Sequence, residues 1–347
     1  MVSTIKDVAR RAGVSVTSVS KVINNRPQVS VETRAKVLAA IEELEYSPNQ
    51  NARGLVGGQT STIGLLLPSL ENPIFAQAAK GVEASAARHG YQVILGDFDE
   101  DLTKEARFLV VLRARRVEGV ISVGFRRGDE RHDVGYRAIL ATGTPVVFLM
   151  GQIEDKEFYS IYVDEEEAGY MAASYLLGLG HRRLGYLAGP AYAVQTIKKI
   201  QGITRAHQEL GLPLDAESII HGDYHLGGGA SAVRRLFARP QRPTAVFGFN
   251  DLIAIGAMKA LREIGLNVPG DVSVMGFDGI EWAQYLDPPL TTLMQPARKM
   301  GQAAFDLTLK IIKGERPTKR HFPFHAELVQ SGSTRDLHLS ATSGLVS

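Results

Sequence analysis

The sequence predicts an α/β protein with a small N-terminal module of three helices and a larger body of two lobes, each built on a doubly wound parallel sheet. Three observations lead to this fold class. The chain has 347 residues, which suits two or three domains. Apolar residues recur at helical spacing up to about residue 44, and beyond residue 61 short aliphatic runs alternate with amphipathic stretches. We expect the body to divide near residue 160.

Composition excludes several classes of protein. The chain contains no cysteine, so disulfides, thiolate metal sites and cysteine nucleophiles are ruled out. No apolar run approaches the roughly 20 residues that cross a bilayer. Charged residues such as Lys6 and Asp7 interrupt the N-terminus, which therefore does not look like an export signal. These features predict a cytoplasmic protein without a membrane segment.

Positive charge is concentrated at the N-terminus. Residues 1–60 contain eight Lys or Arg and five Asp or Glu, a formal charge of +3, whereas the whole chain carries +2. The first 30 residues hold five basic residues and one acidic residue. A basic module on a nearly neutral body is typical of phosphate contact, although a solvated basic face would have the same composition.

The N-terminal module reads as a helix-turn-helix with a supporting third helix. A capping box at Thr4 starts the first helix, and Gly13 ends it because glycine tolerates the positive φ of a tight turn. Ser15 caps a second helix over 16–23, and Ser30 caps a third. Such a pair of short helices places the second one in the major groove of DNA, although similar helices also occur in interaction modules.

The exposed face of the second helix supplies the candidate DNA contacts. Val16 suits a thymine methyl group, Thr17 suits a hydrogen bond to a base edge, and Lys21 suits the guanine acceptors. Contacts to phosphates, which position the module without reading the sequence, are predicted for Ser15, Ser18, Ser20, Arg10, Arg11 and Lys36.

The stretch TIKDVARRAGVSVTSVSKVIN, followed by VSVETRAKVLAAIEELEYSPNQNARGL, resembles the DNA-binding domain of the lactose-repressor (LacI/GalR) family of bacterial transcription regulators. The resemblance implies a hinge helix after Pro48 that lies in the minor groove. It places Leu55 where family members insert a leucine at the centre of the operator, and it implies DNA contacts from Asn51 and Arg53.

The predicted hinge helix is short. Residues 48–56 fall below the roughly 12 to 15 residues that an isolated helix needs to be even marginally stable in water. We therefore expect this segment to order only on DNA, while a plain linker is the alternative. Gly54, where the family usually has a larger residue, weakens the helix by about 1 kcal/mol relative to alanine.

The body alternates predicted strands and helices. The strands are expected at 62–67, 91–96, 119–124, 145–150, 183–188, 244–249 and 272–277, and the helices at 74–89, 102–115, 165–179, 195–210, 251–264 and 296–313. This alternation predicts parallel sheets covered on both faces, with ligands bound beyond the carboxyl ends of the strands. The stretches GLGHRRLGYLAGP and PPLTTLMQP also resemble the family, whose ligand domain has a two-lobed, periplasmic-binding-protein-like fold.

These considerations set the expected domain boundaries. The predicted domains are a helix-turn-helix domain (1–46), a hinge helix and linker (47–60), and an effector-binding and dimerisation domain (61–340). The N-terminal lobe is expected to take about 61–160 plus 295–324, and the C-terminal lobe about 161–292 plus 325–340.

The resemblance also implies an effector site between the lobes. An aromatic ring suits the apolar face of a sugar, and amide or carboxylate groups suit its hydroxyls. The implied effector-binding residues are Ile74, Phe75, Lys199, Tyr224, Asn250, Asp278 and Gln295. Lys199 stands where most family members have an arginine, which gives a point charge in place of a planar fork. A sugar, a sugar acid or a sugar phosphate are therefore all considered as effector, and a protein corepressor stays open.

Other patterns are set aside. The histidine pairs 221/225 and 321/325 have helical metal-binding spacing but lie in segments with Gly or Pro, so we expect no metal site. Gly227–Gly229 are interpreted as a turn. The acidic run 164–167 is assigned to a helix N-terminus rather than to a carboxylate site. We expect no cofactor and no catalytic residues.

The predicted function is a DNA-binding transcriptional regulator, a repressor that binds a palindromic operator as a homodimer under the control of a small carbohydrate-type effector. Two alternatives belong to other classes. A solute-binding receptor without a DNA role would lack the helix-turn-helix and carry an export signal. An enzyme acting in the cleft would need a paired acid and base or a metal constellation.

Overall fold

A computed structural model describes residues 3–23, 28–46, 60–124, 133–151, 153 and 155–338. The chain divides into two compact units, with the boundary after Thr60. Each unit has its own hydrophobic core. No helix in the described ranges is long and apolar enough to cross a membrane.

The first unit contains the three predicted helices, α1 (Ile5–Ala12), α2 (Val16–Ile23) and α3 (Val31–Glu43). Gly13 adopts φ +66° and ends α1, as its sequence position predicts. The Thr4 backbone N–H donates to the Asp7 carboxylate at 3.0 Å, which completes the capping box. The core of the unit consists of Val8, Ala9, Val19, Val22, Val37 and Ala40.

The second unit begins with a six-stranded sheet that forms the N-terminal lobe. Its strands are β1 (Thr62–Leu67), β2 (Gln92–Asp97), β3 (Gly119–Val123), β4 (Val146–Leu149), β5 (Tyr159–Val163) and β11 (His321–Phe324). Their order is β11–β5–β4–β3–β1–β2, and all neighbouring strands are parallel. Helices α4 (Pro73–Arg88) and α11 (Ala297–Ile312) pack with one cluster of core residues, and α5 (Leu102–Ala114) and α6 (Val134–Leu140) pack with the other. The sheet is therefore covered on both faces.

The C-terminal lobe repeats this architecture. Its strands are β6 (Leu184–Ala188), β7 (Ile219–His221), β8 (Ala245–Gly248), β9 (Ser273–Asp278), β10 (Thr291–Met294) and β12 (Glu327–Val329). The order is β12–β10–β9–β8–β6–β7, and only the β10–β12 pair is antiparallel. The helices are α7 (Glu165–Gly178), α8 (Val194–Glu209), α9 (Leu226–Phe237) and α10 (Asp251–Glu263), with 3₁₀ turns at Ala216–Ser218 and Glu281–Tyr285. The predicted fold class is confirmed.

The chain passes between the two sheets three times. It leaves the first sheet after β5, returns between β10 and α11, and leaves again between β11 and β12. Strands β5, β7, β10, β11 and β12 and helices α6 and α9 were not predicted. Five of these seven elements are only three to five residues long and the strands among them lack the extended aliphatic run that marks β1 or β9.

The prediction that Gly227–Gly229 form a turn is wrong, because all three residues lie inside α9. The glycines serve helix packing. A Cβ on Gly229 would lie 2.1 Å from the carbonyl oxygen of Ile253, and a Cβ on Gly256 would lie 1.9 Å from the carbonyl oxygen of Leu226. Helices α9 and α10 thus meet backbone to backbone, which only glycine permits.

Candidate functional site

The outer face of α2 carries the predicted base contacts. Val16, Thr17 and Lys21 are exposed, and Val16 keeps 41% of its surface accessible. On the opposite side of the helix, Val19 and Val22 are buried in the core of the unit. An exposed valine at the start of a short helix leaves an apolar contact available to a partner.

The serines around α2 have local structural roles. The Ser15 hydroxyl accepts a hydrogen bond from the Ser18 backbone N–H at 3.1 Å, so Ser15 caps the helix. Ser15 and Ser18 hydroxyls lie 2.9 Å apart. Ser20 is half-buried. Ser15 therefore caps the N-terminus of α2, and its exposed hydroxyl is also available as a hydrogen-bond donor to a phosphate.

The basic side chains predicted to contact phosphates form ion pairs. These pairs join Arg10 to Asp7 at 3.1 Å, Arg11 to Glu43 at 2.7 Å and Lys36 to Glu32 at 2.8 Å. All three pairs are largely exposed. Exposed pairs of this kind contribute about 0–1 kcal/mol, so a phosphate group competes for these cations at small cost. Asn51, Arg53 and Leu55, the remaining predicted DNA contacts, lie outside the described residues.

A cavity in the second unit collects all seven predicted effector residues. Its walls enclose about 650 Å³, including space open to solvent. The lining residues are Ser69, Asn72, Ile74, Phe75, Glu100, Gly124, Met150, Glu165, Gln195, Lys199, Tyr224, His225, Phe249, Asn250, Leu252, Phe277, Asp278 and Gln295. Both lobes contribute, so the cavity lies between the two sheets.

Sheet topology explains why these side chains meet. Ser69 follows β1, Gly124 follows β3 and Asn250 follows β8, while Asp278 is the last residue of β9. The carboxyl ends of parallel strands lie along one edge of a sheet, where loops and helix N-termini form a crevice. The cavity therefore occupies the position that doubly wound sheets offer to ligands.

Aromatic rings form much of the apolar wall. Phe75, Tyr224, Phe249 and Phe277 all line the cavity. The Tyr224 hydroxyl lies 2.9 Å from the Thr196 hydroxyl, which fixes the ring. Burial raises the pKa of Tyr224, so the phenol stays neutral and retains its donor hydrogen. Rings held in this way offer flat apolar faces to a ligand.

Asn250 is both a structural cap and a cavity residue. Its Oδ1 accepts from the Ile253 backbone N–H at 2.8 Å and so caps α10, and its Nδ2 donates to the Tyr224 carbonyl oxygen at 3.0 Å. The side chain is 5% exposed. The hydrogen bonds fix the amide at the carboxyl end of β8, where it faces the cavity.

Asp278 is held in a strained conformation at the end of β9. Its φ is +130°, which costs a non-glycine residue roughly 1–3 kcal/mol. Gln295 Nε2 donates to its Oδ1 at 2.8 Å, and the Gln295 backbone N–H donates to its carbonyl oxygen at 3.0 Å. Burial, followed by the nearby Asp251 carboxylate, raises the pKa of Asp278 well above its ordinary value. Backbone strain of this kind is concentrated at functional sites, which is why Asp278 stays a candidate for effector binding.

Lys199 forms a buried ion pair with Glu165. Only 5% of the lysine side chain and 7% of the glutamate side chain are exposed. The Lys199 Nζ also lies 4.0 Å from the centroid of the Phe277 ring, a cation–π contact. Burial raises the pKa of Glu165, and the Lys199 ammonium opposes that change. The ammonium group is therefore already neutralised by a protein carboxylate.

The acidic run 164–167 lies at a helix N-terminus, as predicted, but one of its residues has a further contact. Asp164 does cap α7, since its Oδ1 accepts from two backbone N–H groups. Glu166 and Glu167 pair with Arg205 at the surface. Glu165 instead turns into the cavity. Its place two residues beyond the carboxyl end of β5 was the signal for this role.

Gln195 is a cavity residue that the sequence did not reveal. It is 6% exposed, and its Oε1 is buried without a hydrogen-bond partner among the described residues. Its Nε2 lies 3.5 Å from the carbonyl oxygens of Gly124 and Met150. A buried acceptor with no partner is costly unless a ligand donates to it.

The four histidines of the two pairs, His221, His225, His321 and His325, all lie outside the helices. No group of three or more potential ligands in the described part of the chain could hold a metal ion. His221 Nδ1 lies 3.0 Å from the carbonyl oxygen of Gly189, and His321 lies in β11.

Comparison with known proteins assigns both units to one family. Residues 4–49 match bacterial regulatory proteins of the lacI family. Residues 60–331 match the periplasmic binding proteins and sugar binding domain of the LacI family. The two matches together cover most of the chain.

Relatives match over nearly the full length. The HTH-type transcriptional repressor PurR of Vibrio atlanticus is 36% identical over 336 residues, 97% of this chain and 100% of that protein. The HTH-type transcriptional regulator DegA of Bacillus subtilis is 35% identical over 343 residues, again 97% of this chain and 100% of that protein. The lac repressor dimer bound to operator and the anti-inducer ONPF has a TM-score of 0.86 at 30% identity, covering 96% of this chain and 100% of that one.

Proposed function

The chain belongs to the LacI family of bacterial regulatory proteins, and from this premise we propose that it is a repressor that binds a palindromic operator as a homodimer and responds to a carbohydrate-type effector. As a member of that family it is a DNA-binding transcriptional regulator with an effector-binding domain, not an enzyme. The match of residues 4–49 to the DNA-binding domain of this family argues against the alternative hypothesis of a solute receptor without a DNA role.

The DNA-binding half of the proposal rests on α2. Its exposed residues Val16, Thr17 and Lys21 form one face, and an α-helix with such a face fits the major groove. Exposed basic side chains flank it. Leu55 is proposed to insert between base pairs in the minor groove, where an apolar wedge bends the duplex.

Dimerisation follows from the small size of one helix-turn-helix. A single copy of α2 makes few base contacts, whereas two copies related by a dyad read two half-sites one helical turn apart. Trp282 and Tyr285 in the C-terminal lobe are 53% and 79% exposed, which leaves apolar surface for a second copy. The solved relative bound to operator is itself a dimer.

The effector half rests on one observation: the seven implied residues line a single cavity between the lobes. The cavity combines aromatic faces with buried acceptors such as Gln195 Oε1 and Asp278. A ligand with an apolar ring face and several hydroxyl donors fits both features. Sugars have this combination, which supports a carbohydrate-type effector.

The three passages between the lobes supply a route for control. An effector that contacts both lobes favours the closed arrangement by its difference in affinity for the two states. A coupling free energy of roughly 1–3 kcal/mol changes operator affinity by about 5- to 150-fold. Gln295 lies on one passage and Asp278 beside it, so a contact with this pair acts directly on a connecting segment.

The test combines operator selection with a ligand response. The full-length chain is incubated with random duplexes, and bound sequences are recovered; a palindromic site is expected. Leu55→Ala should weaken footprinting of that site while leaving the ligand-dependent thermal shift unchanged. Tyr224→Ala should reduce the ligand-dependent thermal shift and leave the footprint unchanged, because it removes a ring from the cavity and no DNA contact.

The same experiment contains outcomes that would reject the proposal. Recovery of unrelated sequences would contradict binding to a specific operator. If the footprint of the Leu55→Ala variant were identical to that of the parent, Leu55 would have no role in the minor groove. Turnover of a sugar by the purified chain would restore the enzyme hypothesis.

A further inference from the structure

The charge balance of the cavity is set by one buried pair. Lys199 is the single lysine or arginine among the described residues that line the cavity. Its ammonium contacts the Glu165 carboxylate on one side and the Phe277 ring on the other. An ammonium has three donors, and here at least one is committed to a carboxylate before any ligand arrives.

Close packing of two helices holds this pair together. A Cβ on Gly169 of α7 would lie 2.1 Å from the Lys199 carbonyl oxygen. A Cβ on Gly202 of α8 would lie 1.8 Å from the Glu166 carbonyl oxygen. The helices therefore touch through their backbones at Gly169 and Gly202, each about one helical turn beyond a residue of the ion pair. Glu165 and Lys199 are adjacent because this packing leaves their side chains a common space.

The other acidic or basic side chains in the described part of the lining, His225 apart, are carboxyl groups. Glu100, Glu165 and Asp278 face the cavity with Lys199. Asp251 lies behind Asp278, fully buried, and its carboxylate accepts from Thr292 and from the Ile280 backbone N–H. An anionic ligand would thus meet an ammonium that is already paired with a carboxyl group, so little in the described lining would offset the desolvation of its charge.

We propose that Glu165 is a specificity-determining residue: by neutralising Lys199 it makes the cavity select uncharged, polyhydroxylated effectors over sugar acids and sugar phosphates. The inference rests on the proposed effector site and narrows its ligand class. The sequence alone gives weight to an anionic effector because it shows Lys199 but not its partner 34 residues away.

Inorganic phosphate probes this charge balance directly, without knowledge of the effector. Calorimetric titration of the full-length chain, with ionic strength held constant by chloride, should give no saturable binding that depends on Lys199. Glu165→Gln should bind phosphate more tightly, and Glu165→Gln with Asp278→Asn should bind it at least about tenfold more tightly than the parent. Adding Lys199→Met to either variant should abolish the gain.

A matched control separates the cavity from general surface charge. Glu166→Gln makes the same chemical change one residue away, where the side chain pairs with Arg205 at the surface, and should leave phosphate binding at the parental level. If the double variant does not fold, the single Glu165→Gln variant carries the same comparison with a smaller expected gain.

Two outcomes would overturn the inference. One is phosphate binding by the parent that Lys199→Met removes, because the ammonium would then be available to anions. The other is a folded Glu165→Gln with Asp278→Asn variant that binds phosphate no better than the parent. A parallel thermal-shift screen of neutral sugars, sugar acids and sugar phosphates, together with operator binding, distinguishes failure of this inference from failure of the proposed function. Binding confined to anionic ligands rejects the specificity of Glu165, whereas loss of operator binding rejects the proposed function.

Discussion

Gln295 donates a 2.8 Å hydrogen bond from its side-chain amide to the Asp278 carboxylate, and its backbone N–H donates to the Asp278 carbonyl oxygen at 3.0 Å. The two residues join the end of β9 to the segment that leaves the C-terminal lobe after β10. A strained cavity residue is thereby fixed to a passage between the lobes. If the effector contacts this pair, as proposed, its binding acts on a segment that connects the lobes.

A double-mutant cycle should detect this coupling. Gln295→Met keeps the side-chain volume but removes the donor, and Asp278→Ala removes the acceptor. Each single change should lower the free energy of unfolding by about 1–3 kcal/mol, since a buried hydrogen bond to a carboxyl group loses one partner. The double variant should lose less than the sum, with a coupling of about 1 kcal/mol or more. Urea unfolding monitored by Trp282, the single tryptophan, measures all three. Strict additivity would contradict the link.

Asp251 should make the stability of the second unit depend on pH. Burial raises its pKa from 3.8 to about 6, against hydrogen bonds from Thr292 and Ile280 that lower it. Between these values the folded state binds the proton more tightly than the unfolded state. Stability should therefore fall as pH rises from about 4 to about 6, by up to about 3 kcal/mol, and stay lower above that window.

Asp251→Asn provides the comparison. The variant loses the titrating group, so its free energy of unfolding should decline less steeply over the same pH window, although Asp278 still titrates nearby. Its absolute stability should be lower, because an amide cannot accept both hydrogen bonds in the same way. Urea titrations across the window give both slopes. Parallel slopes for the parent and the variant would show that Asp251 keeps an ordinary pKa.

Much of the fold was predictable because its signals are local. The aliphatic runs of β1 and β9 mark buried parallel strands without reference to the rest of the chain. Gly13 and Ser15 mark helix ends through backbone conformation and side-chain capping. Asn250 and Asp278 were named from the family resemblance, and their positions beyond or at the ends of parallel strands agree with the place where such sheets bind ligands.

The features that were missed depend on distant residues. Glu165 looks like an ordinary first-turn acid until α8 brings Lys199 beside it. Gly229 looks like a turn residue until α10 packs against it. β12 has three residues and owes its pairing to β10, so no periodicity in its own sequence marks it. Tertiary contact, not local propensity, determines each of these.

Base preference should depend on two side chains of α2. Thr17→Ala removes a hydroxyl and Lys21→Ala removes a cation from the exposed face. Each should relax selection at one position of each half-site, by about 1–3 kcal/mol of discrimination. Binding-site selection with the full-length variants measures this. Lys36→Ala is the control, since a phosphate contact should weaken binding to all sequences alike and reduce its salt dependence. Identical selected sites for the Thr17 and Lys21 variants would exclude both from base recognition.

Gly202→Ala should disrupt the helix contact that holds the cavity's ion pair. The added Cβ would lie 1.8 Å from the Glu166 carbonyl oxygen and 2.7 Å from the Tyr170 backbone nitrogen, and backbone atoms cannot move aside as a flexible side chain can. Alanine gains about 1 kcal/mol of helix propensity over glycine, but overpacking of this kind costs about 1–3 kcal/mol or more, so the clash should win. Separation of α7 from α8 would also lengthen the contact between Glu165 and Lys199 and change ligand affinity.

Gly178→Ala is the matched control, because it lies in α7 with no atom within 4 Å of its added Cβ. That variant should be as stable as the parent or up to about 1 kcal/mol more stable. Equal thermal unfolding of the two variants would show that α7 and α8 tolerate a wider spacing, and that the ion pair does not need their backbone contact.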